Sequence, residues 1–138
     1  MFNCNSKVST LLTDKGFFSV LLFLLFLNAP LHCQDLEIWE IQGTGNTSPF
    51  LGQVVSLNDN VVTAVGEDFF FVQTPDARSD NDDNTSDGLF IYTGFFPNLS
   101  VGQLVDVNGT VREFENLTEI SGTGLNYQAT GATAAVPA

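Results

Sequence analysis

The stretch "DARSDNDDNTSDG", from Asp76 to Gly88, carries residue types that bind hard cations. Its Asp80, Asp82 and Asn84 stand at alternate positions, and Asp87 follows shortly after them. Calcium takes about six to eight oxygen ligands, largely from closely spaced carboxylates, amides and carbonyls. The spacing therefore suggests an irregular calcium site with Asp80, Asp82, Asn84 and Asp87 as ligands. A solvated acidic loop between two strands is the alternative.

This stretch does not encode an EF-hand. Counted from Asp80, Thr85 stands where the EF-hand turn needs glycine, and Ile91 stands where it needs a bidentate glutamate. Any calcium bound by this loop is therefore expected to be held weakly, with an affinity of about millimolar.

Residues beyond 33 offer little for catalysis. The single histidine, His32, both lysines and both cysteines, Cys4 and Cys33, all precede residue 34. A nucleophile activated by His or Lys, or a zinc site built on His and Cys, is therefore excluded there. Glu113 and Glu115 are close enough in sequence for acid–base work, but they read as a solvated turn. We expect no catalytic residue in this chain, which is thus not itself an enzyme.

Charge limits the partners of this region. Its only basic side chains, Arg78 and Arg112, face 15 Asp and Glu residues, a formal net charge of −13. Such a surface repels nucleic acid and anionic membranes at long range. It suits a cation-rich medium, and solubility alone is the other explanation.

The first 33 residues read as a secretory signal peptide. Lys7 and Lys15 precede an apolar run from Phe17 to Leu27, which is too short for the ~20 residues of a membrane-spanning helix. Cleavage after Ala29 or Cys33 would release a secreted chain with no membrane attachment. A retained anchor or a lipid on Cys33 is the alternative.

The rest of the chain is patterned as β-structure. We expect an extended lead-in over 34–52, a β-domain over 53–123 and a linker or frayed tail over 124–138. About five strands follow from the turn signals, with bends at the "NDN" of 58–60 and at Gly109. A sandwich usually needs about seven strands or more. The pattern therefore predicts an all-β fold, a five-stranded Greek-key barrel.

Aromatic residues concentrate on the middle strands. Stacking of bases needs exposed rings beside basic residues that track phosphates, and here the basic residues are almost missing. Most rings of so small a domain belong to its core. In "FFFV", Phe70 faces outward if its two neighbours face inward.

Three sequence stretches, "IQGTG…SP…GQ", "SDGLFIYTG" and "VGQLVDVNGTVREF", occur in that order. Together with their surroundings, from Ile38 to Ser121, they resemble the OB-fold-like N-terminal domain of large secreted bacterial nucleases. There the module precedes a metal-dependent catalytic domain of the endonuclease/exonuclease/phosphatase type. The resemblance implies an OB barrel, export, and a role in holding nucleic acid for the nuclease.

The resemblance covers the accessory module and not the catalytic domain. Its implied binding face places Phe70, Tyr92, Arg112 and Phe114 as nucleic-acid contacts. The partners it implies are DNA and a nuclease catalytic domain, and we expect a monomer. The alternatives are an acidic, calcium-stabilised spacer without nucleic-acid binding, and a fragment of a full-length extracellular endonuclease.

Overall fold

The computed structural model describes residues 34–137. The predicted signal peptide of residues 1–33 lies outside the described residues. The chain divides into Met1–Cys33 and Gln34–Ala138, and the fold is that of the second unit.

One sheet dominates the described region. Its elements, in chain order, are β1 (Gln34–Asp35), α1 (Ile38–Gln42), β2 (Val54–Val65), β3 (Phe69–Gln73), a 3-10 turn (Asp76–Arg78), β4 (Gly88–Tyr92), β5 (Gln103–Phe114) and β6 (Leu117–Thr133).

The sheet closes into a ring. The strand order is β1-β2-β3-β4-β6-β5, and β2 also pairs with β5. All pairs of the ring are antiparallel except β4 with β6, which is parallel. This confirms the predicted all-β, five-stranded, OB-fold-like barrel.

Bulges in β2 and β5 allow each of these long strands to pair with two neighbouring strands. In β2 the register with β5 shifts between Leu57 and Asn60, around Asp59 at φ 50°. In β5 the register with β6 shifts between Asn108 and Thr110, at Gly109. Bulges bend a strand and increase its twist, as closure of a small barrel requires. Both bends lie where the sequence predicts them.

The barrel interior is filled by aliphatic side chains and one aromatic ring. Its buried residues are Ile38, Ile41, Val55, Leu57, Val62, Phe70, Val72, Leu89, Ile91, Val105, Val107, Val111 and Ile120. Since this core is supplied by the described strands and α1, residues 34–138 carry what they need to fold as a unit.

The extended lead-in predicted over 34–52 is wrong at Ile38–Gln42, which is helical. Glu37 N–H donates to Oε2 of Glu40 at 2.9 Å, an interaction of the capping-box type. Ile38 and Ile41, three residues apart, lie on the same helix face and are fully buried. A single turn is too short to display a helical period in sequence, so only packing stabilises it.

The linker or frayed tail predicted over 124–138 is wrong over 124–133, since β6 continues to Thr133. Its second half pairs with the start of β5, from Asn126 opposite Asn108 to Thr133 opposite Gln103. The polar residues that suggested a tail are exposed, whereas Leu125 and Tyr127 pack against the core. Half-buried and exposed side chains alternate along this half of β6, but many of them are small, so the sequence shows little hydrophobic periodicity.

Candidate functional site

Strand alternation decides which rings are available to a ligand. Along β3, Phe70 and Val72 are buried, whereas Phe69 and Phe71 point to the outer surface and are half-buried. Phe70 is 0 % exposed and contacts Tyr127 at 5.1 Å between ring centroids. The prediction that Phe70 contacts nucleic acid is therefore wrong, because a ring inside the barrel cannot stack on a base.

Three rings contact one another on the outside of the barrel. Phe69 lies 5.8 Å from Phe71, and Phe90 of β4 lies 5.1 Å from each of them, centroid to centroid. Tyr92, opposite Phe69 in the ladder, is 43 % exposed. We call these four residues, Phe69, Phe71, Phe90 and Tyr92, the aromatic face.

Gly66 makes room for one edge of the aromatic face. A Cβ at this position would lie 2.4 Å from Cε1 of Phe69. The Phe69 ring therefore lies directly over the backbone of the β2–β3 turn. The backbone of this turn is also fixed, since Gly66 N–H donates to Phe69 O at 2.9 Å.

The aromatic face continues across two further strands. Phe71 lies opposite Phe90, Phe90 beside Glu119 of β6, and Glu119 opposite Arg112 of β5. Phe114, 62 % exposed, lies two residues beyond Arg112 and so faces the same side.

Three of the four predicted contacts, Tyr92, Arg112 and Phe114, thus share one side of the sheet. Sequence reasoning missed Phe69, Phe71 and Phe90. The signal was present in β4, where Leu89 and Ile91 are the evident core positions and place Phe90 outside.

Only one of the two arginines is available to an anion. Arg78 forms an ion pair with Glu37 at 3.1 Å and donates to the carbonyl oxygens of Asn58 and Asp59, each at 2.9 Å. It therefore fastens the acidic loop to the β2 bulge. Among residues 34–137 that is the only ion pair, so the exposed guanidinium of Arg112 has no carboxylate partner there.

The absence of a side chain at Gly122 leaves space for the guanidinium of Arg112. A Cβ at Gly122 would lie 2.6 Å from Nη2 of Arg112, so the guanidinium lies against bare backbone. Glu119, opposite it on β6, is only 7 % exposed, and its Oε1 accepts a hydrogen bond from Ser121 Oγ at 2.5 Å. The Glu119 carboxylate is therefore largely buried, although it lies between Phe90 and Arg112 on the same side of the sheet.

The predicted calcium ligands bond to their own loop. Asp80 accepts from Thr85 Oγ1 at 3.0 Å, and Asp82 accepts from Asn84 N–H at 2.9 Å and Nδ2 at 2.7 Å. These donors, the backbone N–H first, lower the pKa of Asp82. Asp87 accepts from Ser79 Oγ at 2.5 Å.

Nothing in the described region gathers these carboxylates into a cluster. Residues 34–137 contain no group of three or more His, Cys, Asp or Glu side chains that could hold a metal ion. One carboxylate oxygen, Oδ1 of Asp87, is buried without a hydrogen-bond partner. Calcium binding by Asp80, Asp82, Asn84 and Asp87 stays a prediction.

The solvated turn expected at Glu113 and Glu115 is present at Glu115 but not at Glu113. Oε1 of Glu113 accepts from Ser48 N–H and Thr118 Oγ1, each at 2.8 Å, which ties the loop before β2 to the β5–β6 hairpin. Glu115 lies exposed in the hairpin turn at φ 49°. The two carboxylates thus have separate structural positions rather than a shared site.

Within residues 34–137, no helix is long and apolar enough to cross a membrane. Comparison of the chain with protein-family models, curated proteins and solved structures found no match.

Proposed function

We propose that this chain is a secreted binding module that holds single-stranded nucleic acid by stacking bases on the aromatic face. It would serve as an accessory module that holds the substrate for the catalytic domain of an extracellular nuclease. The observation that carries the proposal is the row Phe71, Phe90, Glu119, Arg112, which places aromatic rings and a free guanidinium on one side of a closed barrel. Small barrels of this type use such a face for oligonucleotides.

Stacking, rather than phosphate contact, would supply the affinity. Each stacked base contributes about 1–3 kcal/mol and needs no particular sequence. Arg112 can neutralise one phosphate, whereas the formal net charge of residues 34–138 is −13. Single-strand binding normally weakens with salt in proportion to the phosphates neutralised, with a slope of about −0.7 for each. Here one contact is opposed by long-range repulsion, so added salt should strengthen binding or leave it unchanged.

The test is fluorescence anisotropy of a labelled oligothymidylate of about 20 nucleotides with residues 34–138, at about 0.05–0.5 M NaCl with millimolar magnesium. An abasic oligomer of the same length is the control. Stacking predicts that the oligothymidylate binds with flat or rising affinity as salt increases, and that the abasic oligomer does not bind. Equal binding of both oligomers, or no binding of either, would refute the proposal.

Tyr92→Ala is the variant that addresses the aromatic face directly, because its ring is exposed and its loss spares the core. We expect affinity for the oligothymidylate to fall about tenfold, the loss of one stacked base. Leu51→Ala, at an apolar residue 51 % exposed on a turn outside the face, should leave affinity unchanged. Matching losses in both variants would place binding elsewhere.

The second candidate is an acidic structural module stabilised by calcium. It is favoured by one observation, the anchoring of the acidic loop to α1 and β2 through Arg78. A loop held at its base and rich in carboxylates gains order when a divalent ion relieves their repulsion. This function predicts a calcium effect on unfolding with no binding of the oligomer.

A further inference from the structure

Residues 93–105 and 120–138 of this acidic chain contain no charged residue. The structure fastens them together. Tyr127 Oη donates to Pro97 O at 3.4 Å, Ala134 N–H donates to Gly102 O at 2.9 Å, and Gln103 pairs with Thr133. We call the surface that residues 93–102 and 125–137 form the uncharged surface.

The uncharged surface also exposes large apolar side chains. Phe95 and Phe96 are each 63 % exposed in the connection from β4 to β5, and Val101 and Val136 are about half exposed. Adjacent exposed phenylalanines on a loop that is fastened at both ends lose little further entropy when a partner covers them.

A strand edge borders the same surface. Beyond Ile120, none of the strands described in residues 34–137 pairs with the second edge of β6, whose first edge pairs with β5. Asn126, Gln128 and Thr130 are exposed along this segment. Exposed edges are usually protected by charge, proline or a bulge. This segment has no charge and no proline before Pro137, and its pairing with β5 is regular from Asn126 to Ala129, before the register shift near Gly131.

We propose that two copies of this chain associate through the uncharged surface, with the free edges of β6 paired antiparallel about a two-fold axis and Phe95 and Phe96 packed across it. Two-fold symmetry brings identical patches together, which antiparallel pairing of one strand with itself satisfies. Each copy carries a formal charge of −13, so most surfaces repel their own image. The uncharged surface itself brings no carboxylate into the contact, and Asp106, opposite Gln128, lies one strand behind the paired edge.

This dimer takes the place of the monomer expected from the sequence, and it is independent of nucleic-acid binding. Sedimentation equilibrium of residues 34–138 tests it, at protein concentrations of about 1–500 µM in about 0.5 M NaCl, where repulsion is screened. We expect the weight-average mass to rise from one chain to two over this range. A mass of one chain throughout would overturn the proposal.

Two variants report on the surface. The double substitution Phe95→Ser/Phe96→Ser removes the apolar contact, and Gln128→Lys puts a charge on the free edge while gaining Asp106 as a cross-strand neighbour within the same chain. Each should weaken dimerisation about tenfold or more with the melting temperature retained. Phe114→Ser, at a ring 62 % exposed on another face, is the matched control. If Phe114→Ser weakens the dimer as much as the other variants, the interface lies elsewhere.

Discussion

Gly109 is the residue at which β5 bends and the β6 chain comes closest. A Cβ at this position would lie 2.5 Å from Cγ2 of Ile120 and 3.3 Å from Cδ1 of Leu125. Gly109→Ala should therefore destabilise the barrel by about 1–3 kcal/mol through overpacking. Urea unfolding of residues 34–138 measures it. Gly45→Ala, where the nearest atom is Thr47 O at 3.7 Å, is the control, and equal losses in both variants would contradict the packing account.

Tyr127 links pH to stability at the alkaline end. Burial raises the pKa of Tyr127, since the phenolate is disfavoured beside the core. Below about pH 9 the phenol is protonated in both states, and stability does not change with pH through this group. As pH rises through the ordinary value toward the raised pKa, the unfolded chain loses its proton first, and stability falls.

Tyr127→Phe should therefore lose less stability than the wild type between about pH 9 and pH 11.5. Melting temperatures across that range, followed by circular dichroism, provide the measurement. Tyr92→Phe, at a ring on the outer surface, serves as the comparison. Parallel alkaline losses in wild type and Tyr127→Phe would remove Tyr127 as the cause.

The aromatic run shows what sequence alone could and could not predict at this scale. "FFFV" predicts a strand, but four consecutive apolar residues carry no alternation from which to choose the buried phase. The ladder chooses it: Phe70 lies opposite Ile91, and both point inward. Arg112 and Phe114 fell on the outer side because β5 alternates polar with apolar residues. Tyr92 stands two residues after Phe90 on β4, and only the burial of Leu89 and Ile91 shows which side it faces.

At the scale of elements, the acidic loop is a fixed base with an exposed tip. Arg78 holds the base to β2 and Glu37, while Asp80, Asp82 and Asp83 are exposed. The sequence predicts exposure correctly, because this many carboxylates cannot be buried together. It could not predict the anchor, because the partners of Arg78 lie about 20 and 40 residues away in the chain.

Calcium should stabilise the fold through this loop. We expect the melting temperature to be higher in about 10 mM calcium than in EDTA, corresponding to about 1.4 kcal/mol at a tenfold excess over a Kd of about 1 mM. Asp80→Asn/Asp82→Asn should remove most of the increase. An equal increase in wild type and variant would instead indicate screening of the net charge. No increase in either would leave a solvated loop.

At the scale of the molecule, like charge opposes the compact state. With 15 carboxylates against two arginines after residue 33, repulsion is greater in the folded barrel than in the expanded chain. Raising NaCl from 0.01 M to 1 M shortens the Debye length from about 30 Å to about 3 Å. The melting temperature at pH 7 should rise across this range by several degrees.

The control for that experiment is the same salt series measured at acid pH. Acid removes negative charge from the chain, so the salt effect should be smaller at pH 4 than at pH 7. A salt effect of equal size at pH 4 and pH 7 would point to salting-out of apolar surface rather than to screening.

The barrel could be predicted from the sequence, whereas the helix and the second half of β6 could not. Turn signals and the two bends predict a five-stranded barrel, because short strands at regular spacing leave few other ways to bury their apolar faces. The helix of Ile38–Gln42 and the second half of β6 escaped prediction, since their formation depends on a surface that other strands create.

Closure of the ring has a consequence for the order in which this chain acquires its structure. The β2–β5 ladder joins Val54 to Thr110, and the parallel β4–β6 ladder joins Phe90 to Glu119. Ile38 and Ile41 are synthesised early, but they belong to the same buried cluster as Ile120. Contacts so distant along the chain give a high contact order and slow folding. The nascent chain therefore remains open until β6 has left the ribosome, and the domain folds as one late event rather than strand by strand.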